Sequence, residues 1–204
     1  MYEADGLGDT TLLFIHGWSC NRSHWQFQIP EFSADYRVIS VDLAGHGESG
    51  KERKDWSLSR FADDVLAVLD QEQGASVVLV GDSMGGGVML HAGEKLGDRL
   101  LGFVGADTLR GNVALSADVS LTERLAGLKK EYERTAVEWF TGMFTQQTPD
   151  SLKQIVMDAL LATPAHVGIG ALEGSLQTRP MLGLVSSLQV PATTILAAGS
   201  AADD

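Results

Sequence analysis

The sequence predicts an open, mostly parallel α/β sheet that is doubly wound, with helices on both faces and a helical section inserted into it. Over the first 110 residues, short apolar runs alternate with segments of helical periodicity. The runs are continuously apolar, as in parallel strands that are covered on both faces. After residue 110 the strand pattern stops and helical patterns replace it. Strands that alternate with helices in this way form right-handed βαβ units.

Each predicted element has its own signal. Apolar runs that end in glycine or a polar residue predict strands at 11–17, 36–47, 76–82, 100–107 and 192–199. Segment 57–74 predicts an amphipathic crossover helix that ends at Gly74, because four apolar residues lie on one face: Leu58, Phe61, Val65 and Leu69. Segment 86–97 predicts a second crossover helix.

The elements divide the chain into three sections. Residues 1–110 form the first part of the α/β core, residues 111–189 a helical insertion, and residues 190–204 a core strand that leads to a turn. Because no repeat or flexible linker separates them, we expect the insertion to pack onto the core.

Composition limits the classes of function. A length of 204 residues, 44% of them hydrophobic, predicts one globular domain. The net charge of -12 argues against nucleic acid and anionic membranes as partners. The single cysteine, Cys20, excludes an internal disulfide framework, and the sequence shows no signal peptide and no membrane-length apolar run. We therefore expect a cytoplasmic protein. Histidines and carboxylates lack metal-ligand spacing, so neither a metal nor another cofactor is predicted.

The stretch "GDSMG", residues 81–85, predicts a catalytic nucleophile at Ser83. It fits the pattern GxSxG at the junction of a predicted strand and a predicted helix. In such a sharp turn the serine takes a strained backbone conformation, and the flanking Gly81 and Gly85 lack the Cβ atoms that would collide. The alternatives are a glycine-rich turn with an incidental serine and a phosphate-binding loop, although no lysine follows the glycines as a Walker loop requires.

A second segment, "FIHGW", predicts a hydrogen-bond donor for the reaction at Ser83. It ends the first strong strand, after which backbone N–H groups point outward. The N–H groups of Trp18 and Met84 are therefore predicted to form the oxyanion hole for a tetrahedral intermediate at Ser83. Taken alone, His16 and Gly17 are equally typical of a tight turn at a strand end.

Together, "LLFIHGW", "YRVISVDLAGHGES", "VVLVGDSMGG" and "LLGFVGADTL" resemble the third to sixth strands of the α/β-hydrolase superfamily. The resemblance is to its capped branch of serine esterases, lipases and C–C hydrolases. It implies that residues 111–189 are the cap, that Ser83 is the nucleophile, and that Asp203 or Asp204 is the acid, with Asp107 as the alternative. The family usually has histidine before the serine, where this sequence has Asp82.

The sequence also departs from the family. The family expects two strands before "LLFIHGW", and here only "YEADGLG" is available for the second of them. After the seventh strand it expects an eighth strand and a loop with the catalytic histidine, which this sequence does not contain. We therefore expect a fragment or a natural truncation that lacks the first strand, the last strand and the catalytic histidine.

None of the five histidines has the family's position for the base. His91 follows Ser83 by about 12 Å along a helix, at about 1.5 Å per residue. His16 and His46 match structural histidines of the family, and His24 lies on the helix after the first strand. His166, in the cap, is the only histidine whose position is unconstrained.

The function predicted is hydrolysis of an ester or a similar carbonyl substrate through an acyl-enzyme on Ser83, with Trp18, Trp139 and Phe140 contacting the substrate. Two alternatives remain open. One is a non-catalytic ligand-binding or regulatory homologue. The other is C–C hydrolysis, perhydrolysis or lyase chemistry on the same scaffold.

Overall fold

The computed structural model describes residues 1–108, 119–177 and 181–196, and within them the strands form one six-stranded sheet. Its order is β1-β3-β2-β4-β5-β6. The strands are β1 (Tyr2–Asp5), β2 (Thr10–Ile15), β3 (Arg37–Val41), β4 (Ser76–Asp82), β5 (Leu100–Ala106) and β6 (Ala192–Ile195). Only β1 is antiparallel, to β3, and the other pairs are parallel. The predicted fold class, a mostly parallel α/β sheet with flanking helices, is confirmed.

The two predicted crossover helices are α2 (Leu58–Gln71) and α3 (Met84–Leu96), and they pack together on one face of the sheet. The four residues that the sequence places on the inner face of α2, Leu58, Phe61, Val65 and Leu69, are all buried. Their side chains join Leu13, Ile15, Ile39 and Leu79 of the strands in the main hydrophobic cluster. The apolar periodicity of the sequence therefore identifies this half of the core correctly.

The opposite face of the sheet differs from the prediction. It carries a smaller cluster of Leu12, Phe14, Trp25, Val38 and Val80, covered by a 3-10 turn (Arg22–Trp25) and the short helix α1 (Gln28–Phe32). Beside this cover lies an apolar groove of about 620 Å³. The expectation of a sheet covered on both faces is therefore only partly met by the residues that the structure describes.

Strand β6 also corrects the sequence analysis, which treats it as buried. All four of its residues are exposed. β6 pairs with β5 on one side, and no described strand pairs with its other edge. An apolar run at the edge of a sheet has fewer neighbours to bury it, so its composition alone overstates its burial.

The helical section comprises α4 (Val119–Lys130), α5 (Tyr132–Thr141), α6 (Asp150–Ala162), α7 (Ala165–Leu176) and α8 (Met181–Leu188). Buried side chains of these helices, among them Leu128, Phe140 and Leu172, belong to the same hydrophobic cluster as the sheet. The section packs on the core through this cluster. Its predicted boundaries, 111–189, stay a prediction because residues 109–118 lie outside the described residues.

Neither a membrane-spanning helix nor a metal site stands out in the described parts of the chain. No single described helix is long and apolar enough to cross a membrane, although α6 and α7, bent by 96° at their junction, reach that length and apolarity as a pair. No three His, Cys, Asp or Glu side chains within residues 1–108, 119–177 and 181–196 are grouped as metal ligands would be.

Candidate active site

Ser83 occupies the sharp turn between β4 and α3. Its backbone has φ 48° and ψ -113°, the strained conformation that the sequence predicts. The turn is held from both sides, because the Ser83 N–H donates to the carbonyl of Ala106 at 3.0 Å and the Thr108 hydroxyl donates to the carbonyl of Ser83 at 2.9 Å. The Ser83 hydroxyl makes no hydrogen bond to any described residue and does not cap its own helix.

Three glycines allow this turn to form. A Cβ at Gly81 would stand 2.6 Å from the carbonyl oxygen of Gly85. A Cβ at Gly85 would collide with the carbonyl oxygens of Ile15 and His16, the latter at 2.7 Å. A Cβ at Gly17 would lie 3.4 Å from Cβ of Ser83, so the backbone after β2 runs directly beside the serine. The predicted steric role of Gly81 and Gly85 is confirmed.

The two predicted oxyanion donors lie on either side of this turn. Met84 begins α3, where a helical N–H has no acceptor in its own helix. Trp18 follows Gly17, whose backbone approaches Ser83. In the described residues neither N–H donates to a backbone or side-chain acceptor. An oxyanion hole requires two free donors that converge on one point, and the convergence of these two N–H groups near Ser83, like their catalytic role, stays a prediction.

The Trp18 side chain connects this loop to the helical section. Its indole Nε1 donates to the carbonyl of Gly168 in α7 at 2.7 Å, and its ring stacks on Trp139 of α5 with centroids 5.0 Å apart. The ring centroid of Phe140 lies 5.9 Å from that of Trp18. Because Trp18 and Phe140 are buried, their side chains present little surface to a ligand. These side chains attach the helices to the core, and the predicted contact of Trp18, Trp139 and Phe140 with the substrate stays a prediction.

The cap that the family resemblance implies at 111–189 would roof the pocket that Ser83 faces. This stays a prediction, because part of that section, residues 111–118 and 178–180, lies outside the described residues. Ser83 is exposed, and the described helices α4 to α8 join the core through Trp18 and through α2 and α3.

Of the three predicted acids, the structure describes only Asp107. Asp203 and Asp204 lie outside the described residues. Asp107, the alternative acid, follows β5 at the same edge of the sheet as Ser83, with φ 47°. Its N–H donates to the carbonyl of Ile195 in β6 at 2.7 Å, which fixes the end of β5 against the last strand.

His16 and His46 are structural. His16 is fully buried, its Nδ1 donates to the carbonyl of Gly17 at 2.8 Å, and its Nε2 accepts from the N–H of Leu43 at 3.0 Å. These two bonds fix the neutral tautomer. Burial, with His46 beside it, holds the pKa of His16 well below the usual range. Burial also lowers the pKa of His46 to about 4.

The remaining histidines are also engaged away from Ser83. His24 contacts the carbonyl of Asn21, and His91 pairs with Glu94 one turn along α3. The Nε2 atom of His166 lies 3.2 Å from the carbonyl oxygen of Lys51, and the His166 ring packs edge-on against Trp56. All five histidines lie in the described residues, and none bonds to the Ser83 hydroxyl.

Asp82 is the site residue whose chemistry the sequence reasoning missed. It precedes Ser83, and burial together with the nearby Asp107 carboxylate raises the pKa of Asp82 to about 7. The signal available in the sequence was an acid inside an apolar strand end. Its surroundings come from β2 and β5, which the sequence does not place beside it.

Comparison with known proteins decides the family. The profile of the alpha/beta hydrolase family matches residues 12–202, nearly the whole chain. The chain belongs to the alpha/beta hydrolase family. As an alpha/beta hydrolase, it carries its GxSxG serine at the expected strand-to-helix turn.

Three proteins are similar to this chain over much of its length. The chain is 30% identical to the dihydrolipoyllysine-residue acetyltransferase component of the acetoin cleaving system of Pseudomonas putida, over 95% of the chain and 47% of that protein. It is 29% identical to 3-oxoadipate enol-lactonase 2 of Acinetobacter baylyi, over 77% of the chain and 60% of the lactonase. The esterase from Exiguobacterium antarcticum superposes with a TM-score of 0.83 at 21% identity, covering 95% of this chain and 75% of the esterase. The chain thus spans about half the length of the acetyltransferase component and three-fifths of the lactonase.

Proposed function

We propose that this chain carries the nucleophile of a serine hydrolase that acts on esters or similar carbonyl substrates. The observation that carries the proposal is Ser83 itself, which is strained and exposed, with a hydroxyl that no described residue binds. Strain of this kind persists only where the surrounding structure imposes it, and it is concentrated at functional sites. The lactonase among the relatives acts, by its name, on a lactone, which is a cyclic ester.

The reaction begins with attack of the Ser83 oxygen on the carbonyl carbon of the substrate. The carbonyl oxygen becomes an oxyanion, which the N–H groups of Trp18 and Met84 bind. Collapse of this intermediate expels the alcohol and leaves an acyl group on Ser83. Water then attacks the acyl carbon and releases the acid, which regenerates the serine.

Each step moves a proton, so a base must reach the Ser83 hydroxyl. The five histidines are bonded elsewhere, and we propose that none of them is this base in the arrangement described. Asp203 or Asp204 is proposed as the acid that orients the base, with Asp107 as the alternative because it ends β5 at the edge that carries Ser83. Without a base at Ser83, acylation is expected to be slow.

The test is to trap the acyl-enzyme. The 204-residue chain is incubated with p-nitrophenyl acetate, with and without imidazole as an external base, and its intact mass is measured. We expect one acetyl group, on Ser83, that forms faster with imidazole. Ser83→Ala should abolish the label, whereas the control Ser187→Ala, on the exposed face of α8, should keep it. Acetylation spread over lysines, or unchanged in Ser83→Ala, would contradict the proposal.

The non-catalytic alternative also has an observation in its favour, namely that no histidine bonds to Ser83. It predicts that imidazole does not accelerate acetylation and that Ser83→Ala behaves as the wild-type protein does.

A further inference from the structure

The residue next to the nucleophile is an acid in an unusual setting. Asp82 ends β4, where its neighbours in the sheet are Ala106 of β5 and the end of β2. The Oδ2 atom of Asp82 lies against Gly17, since a Cβ there would stand 2.5 Å from it. Gly17 is joined by a peptide bond to Trp18, whose N–H is the proposed oxyanion donor. The carboxyl group of Asp82 therefore packs against the loop that would hold the oxyanion.

No Lys or Arg among the described residues pairs with this carboxyl group. It faces the apolar groove of about 620 Å³, and the described residues that line the groove include no Lys or Arg. No described residue donates a hydrogen bond to it. A carboxylate is stabilised in a protein by cations, by hydrogen bonds or by water, and the first two are absent among the described residues here.

Five described titratable groups surround Asp82 or line the same groove. Asp107, after β5, is close enough to disfavour a negative charge on Asp82. Cys20, in the loop after β2, is buried near enough that Asp82 contributes to raising the pKa of its thiol. His16, at the end of β2, has both ring nitrogens engaged in hydrogen bonds. His24, in the 3-10 turn, and Tyr36, just before β3, line the same groove.

We propose that Asp82 is a positioning residue for the reaction at Ser83, whose carboxyl group, neutral or charged, decides how well the adjoining Gly17–Trp18 loop holds an oxyanion. The inference rests on the proposed function. When Asp82 is neutral, its carboxyl group adds no negative charge beside the donor loop. When Asp82 is ionised, a charge stands beside the loop, in a site with few compensating groups, and opposes the oxyanion that forms in the transition state.

The pH range follows from the environment of Asp82. Its pKa in the folded protein is raised to about 7, from an ordinary value of 3.8. Asp82 is therefore protonated below about pH 7 in the folded state and ionised above it. The effect on reactivity should appear as the pH rises through this range, and it should disappear in a variant that cannot ionise.

The test uses Asp82→Asn, which keeps the size of the side chain and removes its ionisation. Asp98→Asn is the matched control, because Asp98 is exposed at the opposite end of β5 and its substitution changes the net charge equally. The rate constant for acetylation of Ser83 by p-nitrophenyl acetate is measured from pH 5 to pH 9 at fixed imidazole. The rate constant of each variant is divided by that of the wild-type protein at the same pH, because this ratio cancels the effect of imidazole titration.

We expect the ratio for Asp82→Asn to be near one at pH 5 and to rise to about three- to tenfold at pH 8 to 9. The ratio for Asp98→Asn should stay near one throughout. A ratio for Asp82→Asn that is flat with pH, or that falls below one at high pH, overturns the inference and leaves the proposed function intact. Absence of any Ser83-dependent acetylation overturns the proposed function, and the role of Asp82 with it.

A second measurement checks the titration without using activity. The folded state binds a proton on Asp82 between about pH 4 and pH 7 that the unfolded state does not bind, so Asp82 lowers the stability of the folded state as pH rises through this window. Asp82→Asn removes this loss of stability, because asparagine does not ionise. In urea unfolding, the ratio of its folding equilibrium constant to that of the wild-type protein should be on the order of a hundredfold larger at pH 8 than at pH 5. An unchanged ratio would show that Asp82 does not titrate in this range and would overturn the inference.

Discussion

Trp18 makes two different contributions, and a single substitution separates them. Its backbone N–H is a proposed oxyanion donor, whereas its side chain attaches the loop after β2 to α5 and α7. Trp18→Phe keeps the backbone and most of the aromatic ring. It removes the indole N–H that donates to the carbonyl of Gly168, 150 residues away in the sequence.

The expected cost follows from the contacts. Gly168 lies inside α7, so its carbonyl also has a partner in the helical hydrogen-bond pattern and is not left unsatisfied. The lost bond therefore costs about 0.5–1.5 kcal/mol rather than the larger penalty of an unpaired buried group. The smaller ring loses one to two methylene equivalents of buried area, about 1–1.5 kcal/mol. We expect Trp18→Phe to lower the free energy of unfolding by roughly 1.5–3 kcal/mol.

Trp25→Phe is the matched control. Trp25 is buried to a similar extent, at 8% exposure against 6% for Trp18, but its indole N–H has no hydrogen-bond partner among the described residues. The same loss of ring area is then offset by removal of an unpaired buried N–H group, so the net cost should be below about 1 kcal/mol. Urea unfolding followed by circular dichroism gives both values. Equal costs for the two variants would refute the argument that the bond to Gly168 anchors the loop.

Further predictions test the elbow, the loop after β3 and the dependence on pH. Gly85→Ala should destabilise the protein by at least about 2 kcal/mol, because the new Cβ meets backbone carbonyl oxygens that cannot move aside. Gly183→Ala, where nothing lies within 4 Å, should stabilise the protein by about 0.5–1 kcal/mol, and a similar loss in both would contradict the steric explanation. Asp42→Ala should cost about 3–5 kcal/mol in urea unfolding, since the fully buried Asp42 carboxylate pairs with Arg22 and accepts two backbone N–H groups; a loss below 1 kcal/mol would be inconsistent with this. His46, with its pKa lowered to about 4 in the folded state, should make stability fall as pH decreases from about 6.5 to 4, because only the unfolded state takes up the proton. His46→Asn should reduce the slope of stability against pH by at most about 1.4 kcal/mol per pH unit. An unchanged slope would argue against burial of His46 as the cause of this pH dependence.

The sequence by itself determined the order of the elements and the turn at Ser83. Strand and helix periodicity are properties of neighbouring residues, so the inner face of α2 and the strands β2 to β5 follow from them directly. The backbone of Ser83 is likewise set by its own glycines and by its place between a strand and a helix. For these features local stereochemistry and the tertiary structure agree, and prediction succeeds.

Only the tertiary structure decided which groups meet around that turn. The sequence predicts that Trp18, Trp139 and Phe140 contact the substrate, and only the tertiary structure shows that these three side chains meet where the loop joins the helices, with Trp18 and Phe140 buried. From the sequence, Asp82 is a variation that adds a negative charge near the elbow, whereas Gly17 and Asp107, brought beside it by β2 and β5, give it an environment in which no described Lys or Arg compensates that charge. It treated β6 as a buried strand, although an edge position leaves it exposed. The physical reason is the same in each case, because burial and electrostatic interaction depend on atoms that are distant in the chain, whereas periodicity and turn geometry depend on neighbours.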